Sequence, residues 1–226
     1  MNDSAKELRT EFVNSHGIKE AMVPLFETDE QGCVATLKYG KDERLVLKRS
    51  APMEKLMRSF GQTLTEEHRS GNVGHSGILY MMLRVEGGIP VPLYIGKAET
   101  LGRNGGNLSA NIADLLGGHG KFGRWGYGYA YHLGDLSAVT LTGHSAEKAN
   151  KKYEDWRTTL FEGEGIVQAP QFKADVQFWA TLWGPEKASI WKDYGATRLA
   201  FEEYLLIGVA SDAFRDDLLN REGRNR

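Results

Sequence analysis

Residues 77–99 of the chain read GILYMMLRVEGGIPVPLYIGKAE, and this stretch decides the fold. The apolar run from Ile78 to Val85 predicts a buried strand, and residues 91–95 predict a second strand. Between them, residues 86–90 carry two glycines and a proline, which indicates a short loop. Two strands joined by a short loop predict an antiparallel hairpin. We expect Pro92 at the start of its strand or at a sheet edge, because proline cannot donate to the hydrogen-bond ladder.

The residues before this hairpin predict a smaller mixed segment. Two β-rich runs, Cys33–Tyr39 and Arg44–Lys48, are separated by turn residues and indicate a further hairpin. Pro52 favours the start of a helix. From Gly61 onward the chain turns polar and glycine-rich, which favours an irregular connection. We therefore expect an N-terminal accessory segment of residues 1–72 and a main domain of residues 73–226.

The residues after the hairpin predict alternating helices and strands. A helix capped by Asn107 or Ser109 is expected to end at the glycine pair 117–118. Later patterns predict a strand at 124–133, a helix at 146–161, a strand at 176–183 and a long helix at 197–214. Together these elements predict an α+β fold, in which helices flank a small central antiparallel sheet.

The composition of the chain excludes several classes of protein. Of its 226 residues, 41% are apolar, which suffices for a buried core. There is no apolar run of about 18 residues, and the polar N-terminus lacks the apolar region of a signal peptide. Cys33 is the only cysteine, so we expect neither an internal disulfide nor a cysteine metal cluster. These features favour a cytoplasmic protein that does not enter a membrane.

The charge of the chain is nearly balanced, with a formal net charge of −2. Proteins that bind nucleic acid are often basic overall, so binding by this chain would need a local basic patch. The stretch from Lys38 to Arg58 is rich in lysine and arginine and is the candidate patch. The alternative is that these side chains form the solvated face of a hairpin.

Two short motifs in the hairpin are informative about function. The pair Gly77-Ile78-Leu79-Tyr80 and Leu93-Tyr94-Ile95-Gly96 resembles the motifs that name the GIY-YIG nucleases. The string LYIGKA, residues 93–98, is similar to that of the excision-repair members of this family, and the likeness as a whole extends from Gly77 to Asn220. The first motif departs from the pattern, because Leu79 follows Gly-Ile and Tyr80 comes one residue later. This shift turns the Tyr80 hydroxyl to the opposite face unless a β-bulge near residues 76–78 restores its direction.

The resemblance also implies an arginine that neutralises the phosphate. Arg103 stands nine residues after Tyr94 and is one candidate, whereas Arg124 is the alternative. Guanidinium groups pair with phosphate oxygens through two hydrogen bonds, which suits either residue to this role. The resemblance further implies that Gly96 and Lys97 lie beside the substrate, and that a histidine, either His119 or His132, assists.

A carboxylate near the end of the chain offers an independent signal. At 100° per residue, Glu203 shares a helix face with apolar residues that include Leu199 and Leu206, while Glu202 is expected to face Arg198. A lone carboxylate on an apolar face is costly unless it meets a cation or a donor. The resemblance implies a metal-binding glutamate on such a helix, and residues 203–207, EYLLI, match that pattern. The alternative is a structural Glu203 held in a salt bridge.

The resemblance implies a Mg²⁺- or Mn²⁺-dependent endonuclease that hydrolyses DNA phosphodiester bonds. Tyr94, together with Tyr80, would position or deprotonate the attacking water, and Glu203 would hold the metal ion. Asn220, in an apolar-Asn element like that of the family, would orient the site through hydrogen bonds. Cutting both strands of a duplex would call for a homodimer. The rival hypothesis is a module that keeps the fold but has lost the chemistry and binds nucleic acid or a protein.

Overall fold

The computed structural model describes residues 3–72, 74–113, 115–116, 132–145, 150–189 and 195–223. The helices are α1 (Asp3–Asn14), α2 (Ile18–Ala21), α3 (Ala51–Ser70), α4 (Ala110–Ala113), α5 (His132–Thr140), α6 (Lys151–Leu160) and α7 (Leu199–Ala213). The strands are β1 (Val23–Pro24), β2 (Thr36–Tyr39), β3 (Arg44–Leu47), β4 (Gly77–Glu86), β5 (Ile89–Glu99) and β6 (Asp175–Trp183). One turn of 3₁₀ helix, Ser15–Gly17, joins α1 to α2.

The central sheet has four antiparallel strands in the order β1-β6-β4-β5, and β2 pairs with β3 in a separate hairpin. This arrangement confirms the α+β class, with an antiparallel sheet and flanking helices. It also places β5 at an edge, which is where Pro92 was expected. β5 continues beyond the predicted end at Ile95, because β4 pairs with it as far as the partners Gly77 and Glu99.

Each face of the sheet supports its own hydrophobic core, because side chains alternate along β4. Ile78, Tyr80 and Met82 contribute to a core that also contains residues of α3, α5 and α6. The alternate residues Leu79, Met81 and Leu83 contribute to a second core that contains residues of α1 and α7. Because β4 is buried on both faces, its sequence is a continuous apolar run rather than an alternation of apolar and polar residues.

The N-terminal 72 residues are integrated into this architecture. β1 pairs with β6 in the central sheet, so both sides of the expected boundary at residue 72 share one sheet. Phe12 and Ile18 lie in the second core, and Leu25 and Phe26 lie in the first. The domain boundary at residue 72 stays a prediction.

Helix α3 corrects the expectation of an irregular connection after Gly61. The helix begins at a capping residue, Ser50, whose hydroxyl accepts a hydrogen bond from the Met53 N–H, and it ends at Gly71 in left-handed conformation (φ 71°). Its last ten residues look polar, yet Leu64 is fully buried. Gly61 lies within the helix, and its lack of a side chain allows Leu115 to pack closely against it: a Cβ there would lie 2.8 Å from Leu115 Cδ2.

The remaining predicted elements have mixed outcomes. The strand predicted at 176–183 and the helix predicted at 197–214 correspond closely to β6 and α7. The strand predicted at 124–133 falls outside the described residues as far as 131, while 132–133 begin α5. The helix predicted at 146–161 corresponds to α6, with residues 146–149 outside the described part. None of the described helices combines the length and apolar character needed to cross a membrane.

Candidate active site

The hairpin of β4 and β5 brings the two motifs together. Tyr80 is the direct partner of Gly96 in the β4–β5 ladder, and Met82 is the partner of Tyr94. Because residues two apart share a face, Tyr80 and Tyr94 point to the same side of the sheet, with their ring centroids 6.3 Å apart. The two tyrosines therefore share one face of the hairpin, although the one-residue shift had placed Tyr80 in doubt.

No β-bulge interrupts residues 77–80, since Gly77 to Tyr80 pair regularly with both neighbouring strands. The irregularity in the hairpin lies instead between Met82 and Leu83. Leu79 points to the other face, where it is fully buried in the second core. The direction of Tyr80 thus follows from its position opposite Gly96, and no local distortion is needed.

Both motif glycines stand where two segments approach closely. A Cβ on Gly96 would lie 2.6 Å from Tyr80 Oη, and one on Gly77 would lie 2.2 Å from the Ala98 carbonyl oxygen. Tyr80 is only 2% exposed and stacks on Phe178 at a centroid distance of 5.9 Å. The Gly96 backbone therefore lies directly against the Tyr80 ring.

Tyr94 is half-buried beneath α6. Its ring lies 5.2 Å from the Trp156 ring, and Lys152 Nζ lies 5.5 Å above its centre. Cations at this distance from an aromatic ring are attracted by the negative face of the ring. Tyr94 is thus held in position by side chains that the sequence motifs do not include.

The outer edge of β5 is covered by residues from the last part of the chain. Asn220, 5% exposed, accepts a hydrogen bond from the Ile95 N–H (2.9 Å) and donates one to the Ile95 carbonyl (2.8 Å). The Leu219 N–H donates to the Leu93 carbonyl at 2.7 Å. Farther along the same edge, the Lys97 backbone N–H lies close enough to the Glu203 carboxylate to lower its pKa. Three of the residues implied by the resemblance, Glu203, Asn220 and Lys97, therefore meet at one strand edge.

Glu203 has an unusual protonation equilibrium. Its side chain is 17% exposed, and burial raises the pKa of the carboxyl from 4.5 to about 7. Lys97 opposes this rise through its charge and its backbone N–H, whereas Glu99 and Glu222 add to it. The Lys97 ammonium lies 2.7 Å from Glu99 Oε1 and 3.9 Å from Glu203 Oε2, so one cation serves two carboxylates.

The burial of the two neighbouring glutamates of α7 differs from the helical pattern, which placed Glu203 and not Glu202 on the apolar face. Glu202 is the fully buried one: its oxygens meet His16 Nε2 and Thr197 Oγ1, each at 3.0 Å. Glu203 lies at the margin of the buried face, beside Lys97. The prediction that Glu202 faces Arg198 was wrong, because α1 and the turn after it cover α7 from the side on which Glu202 lies.

Arg103 is the candidate phosphate-binding residue whose side chain the structure describes. Arg103 is exposed and lines a cleft of about 780 Å³ between the turn after β5, the end of β6 and the start of α7. Arg124 lies outside the described residues, and so does the side chain of His132, the first residue of α5. Among these candidates, only the position of Arg103 can be compared with that of Glu203. Arg103 lines the same cleft as Glu99, and Glu99 shares the Lys97 ammonium with Glu203.

Sequence reasoning did not assign two further residues of this region. Arg198, the residue before α7, lines the cleft together with Arg103. Glu99 ends β5 and shares the Lys97 ammonium with Glu203. Its position three residues after Gly96 was the available signal, because the strand brings the chain past the same site. For Arg198 the signal was its place in the first turn of the helix predicted at 197–214.

The basic stretch from Lys38 to Arg58 carries less free charge than its sequence suggests. Several of its cations pair with carboxylates, namely Lys38 with Glu43, Arg44 with Asp42, Lys48 with Glu27 and Arg49 with Glu54. These pairs favour the solvated-face alternative over a DNA-binding patch.

A divalent ion would find few protein ligands here. In the described part of the chain, no group of three or more His, Cys, Asp or Glu side chains is placed to hold a metal ion. Mg²⁺ commonly retains several waters and uses only one or two carboxylates, so Glu203, with Glu99 nearby, is compatible with such a site.

Comparison of the chain with protein-family models, with curated proteins and with solved structures gives no match. The resemblance to GIY-YIG nucleases therefore rests on the motifs of the chain itself.

Proposed function

We propose that this chain is a divalent-metal-dependent endonuclease that hydrolyses DNA phosphodiester bonds. One observation carries the proposal: Glu203 and Asn220 both reach the backbone of the Tyr94-Ile95-Gly96-Lys97 strand edge. The resemblance requires these separate parts of the sequence to belong to one site. Their meeting at an edge strand supports that requirement, because nothing in the local sequence patterns enforces it.

Each residue has a defined role in this proposal. Tyr94 positions the attacking water, and Asn220 fixes the backbone of the strand from which Tyr94 projects. Arg103 supplies positive charge for the phosphoryl oxygens from the adjoining cleft. Glu203 would hold Mg²⁺ or Mn²⁺, which when bound neutralises phosphate charge and stabilises the leaving oxygen. Tyr80 supports the Tyr94 face by packing on Gly96.

The surroundings of Tyr80 and Glu203 favour one second candidate, a module that has the fold without the chemistry. Tyr80 is 2% exposed, which removes its hydroxyl from contact with substrate. The Lys97 ammonium stands 3.9 Å from the Glu203 carboxylate, on which a metal ion would have to bind. Such a module would bind nucleic acid or a protein partner and leave the phosphodiester intact.

A plasmid-nicking assay tests the proposal. Purified protein is incubated with supercoiled plasmid or single-stranded DNA in Mg²⁺, Mn²⁺ or EDTA, alongside Glu203→Ala and Tyr94→Phe. We expect nicking that requires the metal ion and drops roughly a hundredfold or more in Glu203→Ala, since several kcal/mol of transition-state stabilisation are lost. Glu86→Ala is the matched control, because Glu86 is an exposed glutamate at the opposite end of the hairpin.

Two outcomes would overturn the endonuclease proposal. One is a wild-type protein that nicks in neither metal ion, and the other is equal cutting by wild type, Glu203→Ala and Tyr94→Phe. Binding of DNA without cleavage, weakening steeply with salt, would favour the nonenzymatic module.

A further inference from the structure

The cleft at the start of α7 has the character of an anion-binding surface. Two arginine residues line it, Arg103 from the turn after β5 and Arg198 from the residue before α7. Neither arginine forms an ion pair with any residue that the structure describes. The carboxylate in the cleft, Glu99, is engaged by Lys97 at 2.7 Å. Two cations without acidic partners make an anionic ligand the natural complement of this cleft.

An exposed pair of aromatic rings follows the cleft along α7. Phe201 is 50% exposed and Tyr204 is 57% exposed, although most aromatic side chains in the described part of the chain are buried. They are three residues apart on the helix and therefore lie next to each other on one face. Exposed aromatic rings beside cationic groups are the combination that proteins use to bind single-stranded nucleic acid.

The cleft, the candidate catalytic carboxylate and the aromatic pair form one continuous surface. Ala200 lines the cleft. It stands three residues before Glu203 and four before Tyr204, so all three lie on the same side of α7. A strand whose phosphates occupy the cleft would run past Glu203 toward Tyr204.

We propose that this surface, composed of the cleft and the Phe201–Tyr204 pair, binds an unpaired stretch of nucleic acid strand. Arg103 and Arg198 hold phosphates, and Phe201 and Tyr204 stack against bases. The inference rests on the endonuclease proposal and defines its substrate as single-stranded or locally unpaired DNA. A continuous duplex fits poorly, because its base faces are already stacked on one another and cannot meet the rings.

Fluorescence anisotropy in EDTA, where no hydrolysis occurs, tests this inference. The ligands are a labelled oligonucleotide of about 12 nucleotides and a duplex of the same sequence, within the size range of single-strand sites. We expect the single strand to bind at least about tenfold more tightly than the duplex. Replacing Phe201 and Tyr204 together by Ala should weaken single-strand binding by about tenfold for each base stack lost. Replacing both by Trp should preserve it.

Matched variants distinguish base stacking on this surface from nonspecific hydrophobic binding and from the electrostatic contribution of the arginines. Ile89→Ala removes a side chain that is likewise 57% exposed but lies at the other end of the hairpin, and should leave binding unchanged. Arg103→Gln and Arg198→Gln should each lower the slope of log affinity against log salt by about 0.7.

Equal affinity for duplex and single strand, or unchanged binding by the double alanine variant, would overturn the inference. These failures are distinct from failure of the endonuclease proposal. Nicking without a preference for single strands would overturn only the inference of a single-strand-binding surface. Selective single-strand binding without any nicking would overturn only the endonuclease proposal. A protein that neither binds nor cuts DNA would overturn both.

Discussion

At Gly96 the β5 backbone lies directly under the Tyr80 ring. A Cβ at this position would lie 2.6 Å from Tyr80 Oη and 2.7 Å from its Cζ. We expect Gly96→Ala to lower the free energy of unfolding by about 1–3 kcal/mol, the usual cost of overpacking a tight core. Urea denaturation monitored by circular dichroism measures the change.

Gly208 provides the matched control for this substitution. It lies within α7, and a Cβ there would meet nothing within 4 Å. Gly208→Ala should raise the free energy of unfolding by about 0.5–1 kcal/mol, because alanine restricts the unfolded chain and favours the helix. Equal effects of the two substitutions would contradict the close contact at Gly96.

Glu203 links stability to pH. Because its pKa rises from 4.5 to about 7 on folding, the folded protein binds more protons than the unfolded chain within that window. Its ionisation therefore reduces the free energy of unfolding as pH rises from 4.5 to 7. Glu203→Gln removes the charge and keeps an oxygen for the Lys97 N–H. We expect this variant to be more stable than wild type by about 1–2 kcal/mol near pH 8.

The measurement is urea unfolding of both proteins near pH 8 and near pH 4. The stability gap should close at the lower pH, where the wild-type carboxyl is protonated. Nicking should show the opposite preference and weaken at acidic pH, because protons compete with the metal ion for the Glu203 carboxylate. A Glu203→Gln protein that is less stable than wild type at both pH values would contradict the unfavourable burial of this carboxylate.

The parts of the site that depend on local sequence could be predicted, whereas the parts that depend on contacts between distant residues of the chain could not. The hairpin follows from a local sequence pattern, so its motif residues could be found from the sequence. Which of Glu202 and Glu203 is fully buried could not be predicted, because the burial of Glu202 depends on His16, which lies 186 residues away. Two adjacent helical positions differ by 100°, so only knowledge of which elements cover α7 separates them.

At the scale of elements, the edge strand β5 depends on the last residues of the chain. Asn220 satisfies both backbone groups of Ile95, at 2.9 and 2.8 Å, in a buried setting. Asn220→Ala would leave the Ile95 N–H and carbonyl without partners, and we expect a loss of about 2–4 kcal/mol of stability. Amide hydrogen exchange at Ile95 should accelerate accordingly.

The neighbouring residue supplies the control for this prediction. Arg221 pairs with Asp155 at 3.0 Å, and both side chains are more than half exposed. Arg221→Ala should change the free energy of unfolding by less than about 1 kcal/mol, as is usual for exposed ion pairs. If Asn220→Ala were as mild as Arg221→Ala, the C-terminal residues would not be what secures the edge of β5.

Elements with long periodic patterns were predictable, and their ends were not. β4, β6 and α7 follow from apolar runs, whereas β5 extends through residues 96–99 only because β4 offers partners there. Helix α3 likewise continues through a polar stretch to Ser70, because Leu64 is drawn into the core. In both cases tertiary contacts override weak local preferences.

At the scale of the whole molecule, the N-terminal residues supply both cores. Phe12 and Ile18 pack with α7 on one face of the sheet, and Leu25 and Phe26 pack on the other, each at most 1% exposed. β1 also covers one edge of the central sheet through its pairing with β6. A fragment of residues 73–226 would expose apolar surface on both faces and an unpaired strand edge.

We therefore expect the fragment 73–226 to lack a cooperative unfolding transition, whereas the full chain shows one. Each large buried side chain contributes about 1.5–3 kcal/mol, so loss of several exceeds the 5–15 kcal/mol by which domains are usually stable. Urea titration followed by tryptophan fluorescence and circular dichroism measures the transition. Coexpression with the fragment 1–72 is the control, because it restores the missing core residues without the covalent link. If the isolated fragment unfolded cooperatively near the full-length midpoint, the sequence boundary at residue 72 would mark a true domain, and the N-terminal packing would be dispensable for the fold.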